Sequence, residues 1–171
     1  VGIVKADRLL HVGCGSAPLP EWLGCNTEVR LDVDADLNPD IVANMTDIGD
    51  VGEFDCVFCC HALEHLHLFD VYKAVSEFYR VLKSGGTLIV FVPDLEGVSP
   101  TEDVLFESPA GPITGLDLMY GYNCVTQAKP YMRHLTGFVK SSLKKILQQA
   151  GFNTVKVNRI IHHDMIGVAT K

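Results

Sequence analysis

The stretch Arg8-Leu9-Leu10-His11-Val12-Gly13-Cys14-Gly15-Ser16-Ala17-Pro18 restricts the fold of this chain more than any other. A short apolar run enters a glycine turn directly, as a buried strand does at the carboxyl edge of an open α/β sheet. Gly13 and Gly15 admit positive φ and carry no Cβ, so a ligand can approach the main chain closely there. The dinucleotide pattern G-x-G-x-x-G would need glycine at position 18, where Pro18 stands, with Pro20 two residues on. A pyrophosphate rests on the amides of a helix that begins right after such a turn. Two prolines remove two of those donors and oppose a regular helix start. The turn therefore suits a cofactor without phosphates better than NAD or FAD, which disfavours a nicotinamide or flavin oxidoreductase.

The rest of the chain supplies further strands at the right intervals. Val29 to Asp34 reads as a second strand, and Leu19, Pro20 and Trp22-Leu23 before it as an apolar lid, with Gly24 breaking any helix. Asp32 follows Gly15 by 17 positions, close to the offset of about 20 at which an acidic side chain reaches a cofactor ribose; Asp34 competes for that role. Asn38-Pro39-Asp40 marks a turn into a third strand, Ile41 to Ala43. Asn44 and Met45 after it are placed to meet a base, the amide by hydrogen bonding and the thioether by packing. Phe54 to Cys60 is apolar without alternation, the pattern of a central parallel strand, and ends in His61-Ala62-Leu63-Glu64-His65-Leu66.

Asp70 is the expected cap of a helix through Leu82, with Val71, Val75, Phe78, Val81 and Leu82 as its apolar stripe and Gly85-Gly86 as its stop. Thr87 to Val92 is the fifth strand. Residues 93–137, rich in proline, glycine and aromatics, break the rhythm; such a long excursion reads as a lid or substrate wall, with a mobile loop as the alternative. A helix over Ser142 to Ala150, a strand through Val155 and Val157, and a last strand from Met165 to Thr170, reached through His162-His163-Asp164, complete the pattern. One domain over 1–171 accommodates all of it.

A formal net charge of −7 argues against a nucleic-acid partner, which needs a basic face. No apolar run reaches the length of a membrane span and no secretory signal is evident, so a cytoplasmic protein is expected. The six cysteines sit in apolar runs or beside glycines, as reduced cysteines do. Cys56 and Cys59 match C-x-x-C, but in a strand they point to opposite faces. His61 and His65 would share a helical face; with no third ligand evident in the sequence, no metal is expected.

Taken together these motifs resemble class I S-adenosylmethionine-dependent methyltransferases, in particular the small type 11-like group. Leu10-His11-Val12-Gly13-Cys14-Gly15 is similar to the first family motif and Leu31-Asp32-Val33 to the acidic ribose motif. Phe54-Asp55 through Leu66 is similar to the fourth-strand motif, and Arg80 to Leu88 to the passage into the fifth strand. The resemblance implies a Rossmann-like, doubly wound, mostly parallel seven-stranded sheet with an antiparallel C-terminal strand. It implies S-adenosylmethionine as cofactor, held by His11, Gly13, Cys14, Gly15, Asp32, Val33, Asn44, Met45, Cys60 and His61, and transfer of its methyl group in line. His61 and, second, His134 are the expected catalytic residues. The absence of Asn/Asp-Pro-Pro-Tyr at Cys60-His61-Ala62-Leu63, with the acidic charge, points to a small molecule or protein side chain as acceptor. Three departures stand out: His11 replaces a common acidic residue, the helices between the first three strands are nearly absent, and no N-terminal helices cover the site. They leave the site open, or closed by residues 93–137 or by a second copy in a homodimer, and they motivate an alternative, a catalytically silent binding or scaffolding domain.

Overall fold

The computed structural model describes residues 4–108, 111–160 and 163–171; Pro109 of the excursion and His162 of the last turn lie outside them. Among the described residues nine strands and four α-helices follow in the order β1 (Val4–Val12), β2 (Leu23–Asp32), β3 (Ile41–Val42), β4 (Phe54–Cys60), α1 (Leu68–Val81), β5 (Leu82–Pro93), β6 (Val104–Ser108), β7 (Gly111–Thr114), α2 (Gly115–Tyr120), α3 (Asn123–Ala128), α4 (Lys140–Gln149), β8 (Thr154–Arg159) and β9 (Asp164–Thr170). Seven of the strands form one sheet in the order β3-β2-β1-β4-β5-β9-β8. Its first five strands are parallel, while β9 runs antiparallel between β5 and β8.

The unalternating apolar strands divide their residues between the two faces one by one, as a period of two requires. Leu10, Val12, Val57, Cys59, Leu88 and Val90 face the larger core, where α1 and α4 bring Val75, Phe78, Leu143 and Leu147. Leu9, Cys56, Phe58 and Ile89 face the other way. That second face is covered by Leu19 and Trp22 where an ordinary crossover would lay a helix. Trp22 meets the rings of Phe58 and Phe91 with centroids 6.2 Å away in each case. The segment expected to be a lid is thus a cover for the sheet, and Leu23 is 3% exposed inside it.

Three expectations are corrected by pairing energetics. β2 starts at Leu23, not Val29, and ends at Asp32: register with β1 pairs Val4 with Leu23, and that ladder overrides the poor strand propensity of Gly24 and Asn26. Helix α1 ends at Val81 without help from Gly85-Gly86, which lie inside β5. There the register slips between Phe54 and Cys56, so the glycines serve a bulge; a Cβ on Gly86 would stand 2.8 Å from the Lys83 carbonyl oxygen. Asp70 sits within the first turn of α1 and pairs with Lys73 at 3.0 Å, while His67 occupies the cap.

The excursion is built structure. β6 and β7 form an antiparallel hairpin, and α2 begins with a capping box between Thr114 and Asp117. Its end is stitched to the turn after β4: the N–H groups of Leu135 and Thr136 donate to the Glu64 carbonyl at 2.7 and 3.1 Å, and Thr136 Oγ1 donates to the Leu66 carbonyl at 2.6 Å. No helix among the described residues is long and apolar enough to cross a membrane.

Phe78 is fully buried between α1 and the sheet, whereas Phe69 on the same helix is 71% exposed. Phe78→Ala is expected to cost about 3–5 kcal/mol and Phe69→Ala to stay within about 0.5 kcal/mol, both read from urea unfolding midpoints at unchanged slope.

Candidate active site

The parallel strands end together along one edge, and the order of the sheet reverses between β1 and β4, so a crevice opens there. It holds a cavity of about 580 Å³, a volume within the range of small-molecule sites. Gly13, Gly15, Asp32, Val33, Asn44, Met45 and His61 all line it.

The glycine turn explains the opening. Gly13 and Gly15 both have positive φ, +61° and +51°. A Cβ on Gly13 would lie 2.5 Å from the Ala62 Cβ, so glycine there lets β1 and the β4 turn approach each other. A Cβ on Gly15 would meet nothing within 4 Å. The Gly15 N–H donates to Asp32 Oδ2 at 2.9 Å, and the Asp34 N–H donates to the other oxygen, Oδ1, at 3.0 Å. One carboxylate thus sets both rims of the crevice, and each oxygen keeps a further electron pair for a ligand. Asn44 Oδ1 is taken by the N–H and hydroxyl of Thr46, which leaves its amide NH2 to serve a ligand.

Three of the expected residues lie elsewhere. His11 is 2% exposed and faces the Trp22 side of the sheet, its Nδ1 2.8 Å from Glu28 Oε1. Burial lowers its pKa below the usual value and outweighs the opposing pull of Glu28. Cys14 is buried with its thiol pKa pushed up by burial, and Cys60 packs beside Phe58 on the same face as His11. The alternation of β1 and β4 sends the side chains of His11 and Cys60 away from the crevice.

The excursion contributes what the strands lack. Val125, Lys129, Tyr131 and Met132 close the side of the cavity opposite the glycine turn. Tyr131 donates its hydroxyl to Asp34 Oδ2 at 2.8 Å and Lys129 Nζ lies 3.3 Å from the same oxygen. Those contacts, with the Asp36 N–H, hold the Asp34 carboxyl below the usual carboxylate range, the Tyr131 bond first. Asp34 is therefore a latch to the wall, and Asp32 alone of the two carries the glycine turn. Sequence reasoning reached the wall as a segment but not these four residues, since nothing in their spacing announces which loop they face.

A second cavity, of about 360 Å³, adjoins the first under the β6–β7 hairpin, with Phe106, Ile113, Leu118 and His134 in its wall; His61 borders both. His61 has a left-handed backbone, φ +50°, which no glycine relieves. Its Nδ1 lies 3.3 Å from Glu64 Oε1 and its Nε2 3.5 Å from Asp164 Oδ1. Burial favours the neutral ring, but the bonds to Asp164 and Glu64 together raise its pKa to about 11. The two carboxylates thus favour the protonated ring of His61, which stands partly exposed between the cavities. Glu64 is buried, which alone would raise its pKa, yet the His61 bond and charge hold it below the usual value. His134 is neutral, its pKa lowered by burial, with Nδ1 2.9 Å from the Leu118 carbonyl oxygen.

Residues 10–90 match the model of the methyltransferase domain family. No curated protein matches the chain by sequence. The fold is similar to that of an S-adenosylmethionine-dependent methyltransferase from Clostridium acetobutylicum, at 13% identity and a TM-score of 0.67 over 96% of this chain and 83% of that one. It is similar to the N-methyltransferase NodS of Bradyrhizobium japonicum in complex with S-adenosyl-L-homocysteine, at 12% identity and a TM-score of 0.61 over 97% and 78%. A third similar structure is the 1,6-didemethyltoxoflavin-N1-methyltransferase of Burkholderia thailandensis with its acceptor and S-adenosylhomocysteine, at 14% identity and 0.62 over 98% and 71%. At these identities the likeness is one of fold.

The two glycines separate two kinds of defect. Gly13→Ala, which drives a methyl group into Ala62, is expected to cost about 2 kcal/mol or more in thermal and urea unfolding. Gly15→Ala, with open space around it, is expected to cost only the backbone strain of about 1–2 kcal/mol. Equal losses at the two positions would show that the turn is looser than its contacts indicate.

Proposed function

We propose that the chain is a class I S-adenosylmethionine-dependent methyltransferase that transfers the methyl group of S-adenosylmethionine to a small molecule by in-line displacement. The observation that carries this reading is the 580 Å³ cavity beside the glycine turn, which Asp32 organises and after which no helix begins before β2. Its parts match those of the cofactor. Gly15 leaves room for a backbone-hugging ligand, Asp32 offers two carboxylate oxygens to ribose hydroxyls, and Asn44 and Met45 offer an amide and a thioether to a base.

The second cavity supports the acceptor side. It begins at His61, where the first ends, so a ligand in each would bring their ends together at that residue. Its apolar wall of Phe106, Ile113 and Leu118 suits a small organic acceptor better than an extended polymer. The mechanism asks the protein for alignment and for exclusion of water, because a sulfonium donor becomes a neutral thioether as the methyl group leaves. The excursion, latched to Asp34 by Tyr131 and Lys129, supplies that enclosure. His61, which borders both cavities, is placed to position the ligands. Of the two closures expected, the excursion is the one whose residues line the cavity. The built wall and complete Asp32 brace favour an active enzyme over a silent domain of the same fold.

Calorimetry with S-adenosylhomocysteine is the direct test. Binding is expected in the wild type, and Asp32→Ala is expected to weaken it by roughly 1.5–3 kcal/mol through loss of charge-assisted bonds. Absence of heat and of any thermal shift with cofactor or product at millimolar concentration would end the reading. Turnover is tested by measuring S-adenosylhomocysteine formed against a panel of small-molecule and peptide acceptors; binding without turnover on any of them would leave the silent-domain alternative.

The wall gives a separate expectation, since ligand contacts add to the single Asp34 latch. Amides from Leu116 to Met132 are expected to exchange more slowly with S-adenosylhomocysteine bound, and Tyr131→Phe to lessen that difference. Equal protection in both states would make the segment a fixed element that does not respond to the ligand.

A further inference from the structure

Glu64 presents a buried polar atom that the transferase reading does not use. Its Oε2 has no hydrogen-bond partner among the described residues, although its Oε1 faces His61. A buried carboxylate oxygen left in that state is costly unless something binds it. Two histidines flank it: one ligand atom each from Glu64, His65 and His134 lie within 4.8 Å of one another.

Both imidazoles are oriented for ligation. His65 Nδ1 lies 3.2 Å from the Arg133 carbonyl oxygen and His134 Nδ1 lies 2.9 Å from that of Leu118. A carbonyl only accepts, so each Nδ1 carries a hydrogen, and in the neutral ring the electron pair for a metal is then on Nε2. Metal-bound histidines are held in this way, by a main-chain carbonyl on the nitrogen remote from the ion. The ring centroids are 5.3 Å apart, tilted by 54°. The group does not depend on loose loops, because the Glu64 carbonyl accepts the Leu135 and Thr136 N–H groups immediately after His134.

We propose that Glu64, His65 and His134 form a binding site for one divalent first-row transition-metal ion, of which Zn2+ is the simplest case. Two imidazoles and one carboxylate match that class, whereas Mg2+ and Ca2+ favour sites made of oxygen alone. Three protein ligands leave a coordination position open, as in metal sites that receive a ligand. His65 lines the first cavity and His134 the second, so the ion sits where both meet. An oxygen or nitrogen of an acceptor would take the open position; that last step rests on the transferase reading, whereas the metal site does not.

The test is a titration of chelator-treated protein with Co2+, without cofactor or acceptor, followed by visible absorption. One equivalent is expected to bind with the weak bands of nitrogen and oxygen ligation, and Zn2+ to displace it. His134→Ala and His65→Ala are each expected to weaken binding at least about tenfold, and Glu64→Gln likewise. Half-exposed His65 keeps the test decisive if His134→Ala fails to fold. No bound cobalt in the wild type, or undiminished binding in the histidine variants, would overturn the proposal. An intense near-ultraviolet thiolate band would also overturn it, by placing the ion on cysteines. Since no cofactor is present, failure here leaves the transferase reading untouched, and failure of cofactor binding leaves the metal site untouched.

Discussion

The carboxylate of Asp32 receives the N–H of Gly15 on one oxygen and that of Asp34 on the other, and the crevice depends on those two bonds. Gly15 is in a left-handed conformation with no Cβ contact to hold it, so its position is set by its hydrogen bonds. The neighbouring carbonyls are tied down in the same way, since Arg30 donates to the Gly15 oxygen at 2.8 Å and to that of Ala17 at 3.1 Å. A turn with no helix behind it is thereby made rigid by two side chains of β2. This replaces the support that a crossover helix gives in a fully wound sheet.

Glu64 plays the corresponding part on the other side. Its main-chain carbonyl anchors the end of the excursion and its side chain faces His61, so the β4 turn and the end of the excursion meet at one residue. Each of His61 and Glu64 favours the charged form of the other, and His61 stands at the seam between the cavities with Glu64 on one ring nitrogen and Asp164 on the other.

Legibility followed the range of the interactions. Residue alternation and glycine placement are local, and they located β4, α4, the C-terminal strands and the turn at Gly13 to Gly15. Gly24 and Asn26 hid the first half of β2, because the ladder to β1 that makes them strand residues is not local. Gly85-Gly86 looked like a helix stop because a bulge against Phe54 leaves no mark in the sequence near it. Asp34 and Asp32 looked interchangeable until Tyr131 and Lys129, nearly a hundred positions away, claimed one of them.

The sequence by itself determined the class of fold, the place of the crevice and the chemistry of the turn, since these rest on period-two burial, on φ at two glycines and on one acidic residue at a fixed offset. Only the tertiary structure decided which side chains face the crevice. It turned His11 and Cys60 away by strand alternation, and it set two carboxylates beside His61. It also brought His134 to Glu64 and His65 across 68 positions of chain between His65 and His134. Such a meeting depends on how the excursion packs back onto the β4 turn, and no local pattern in a sequence encodes that contact.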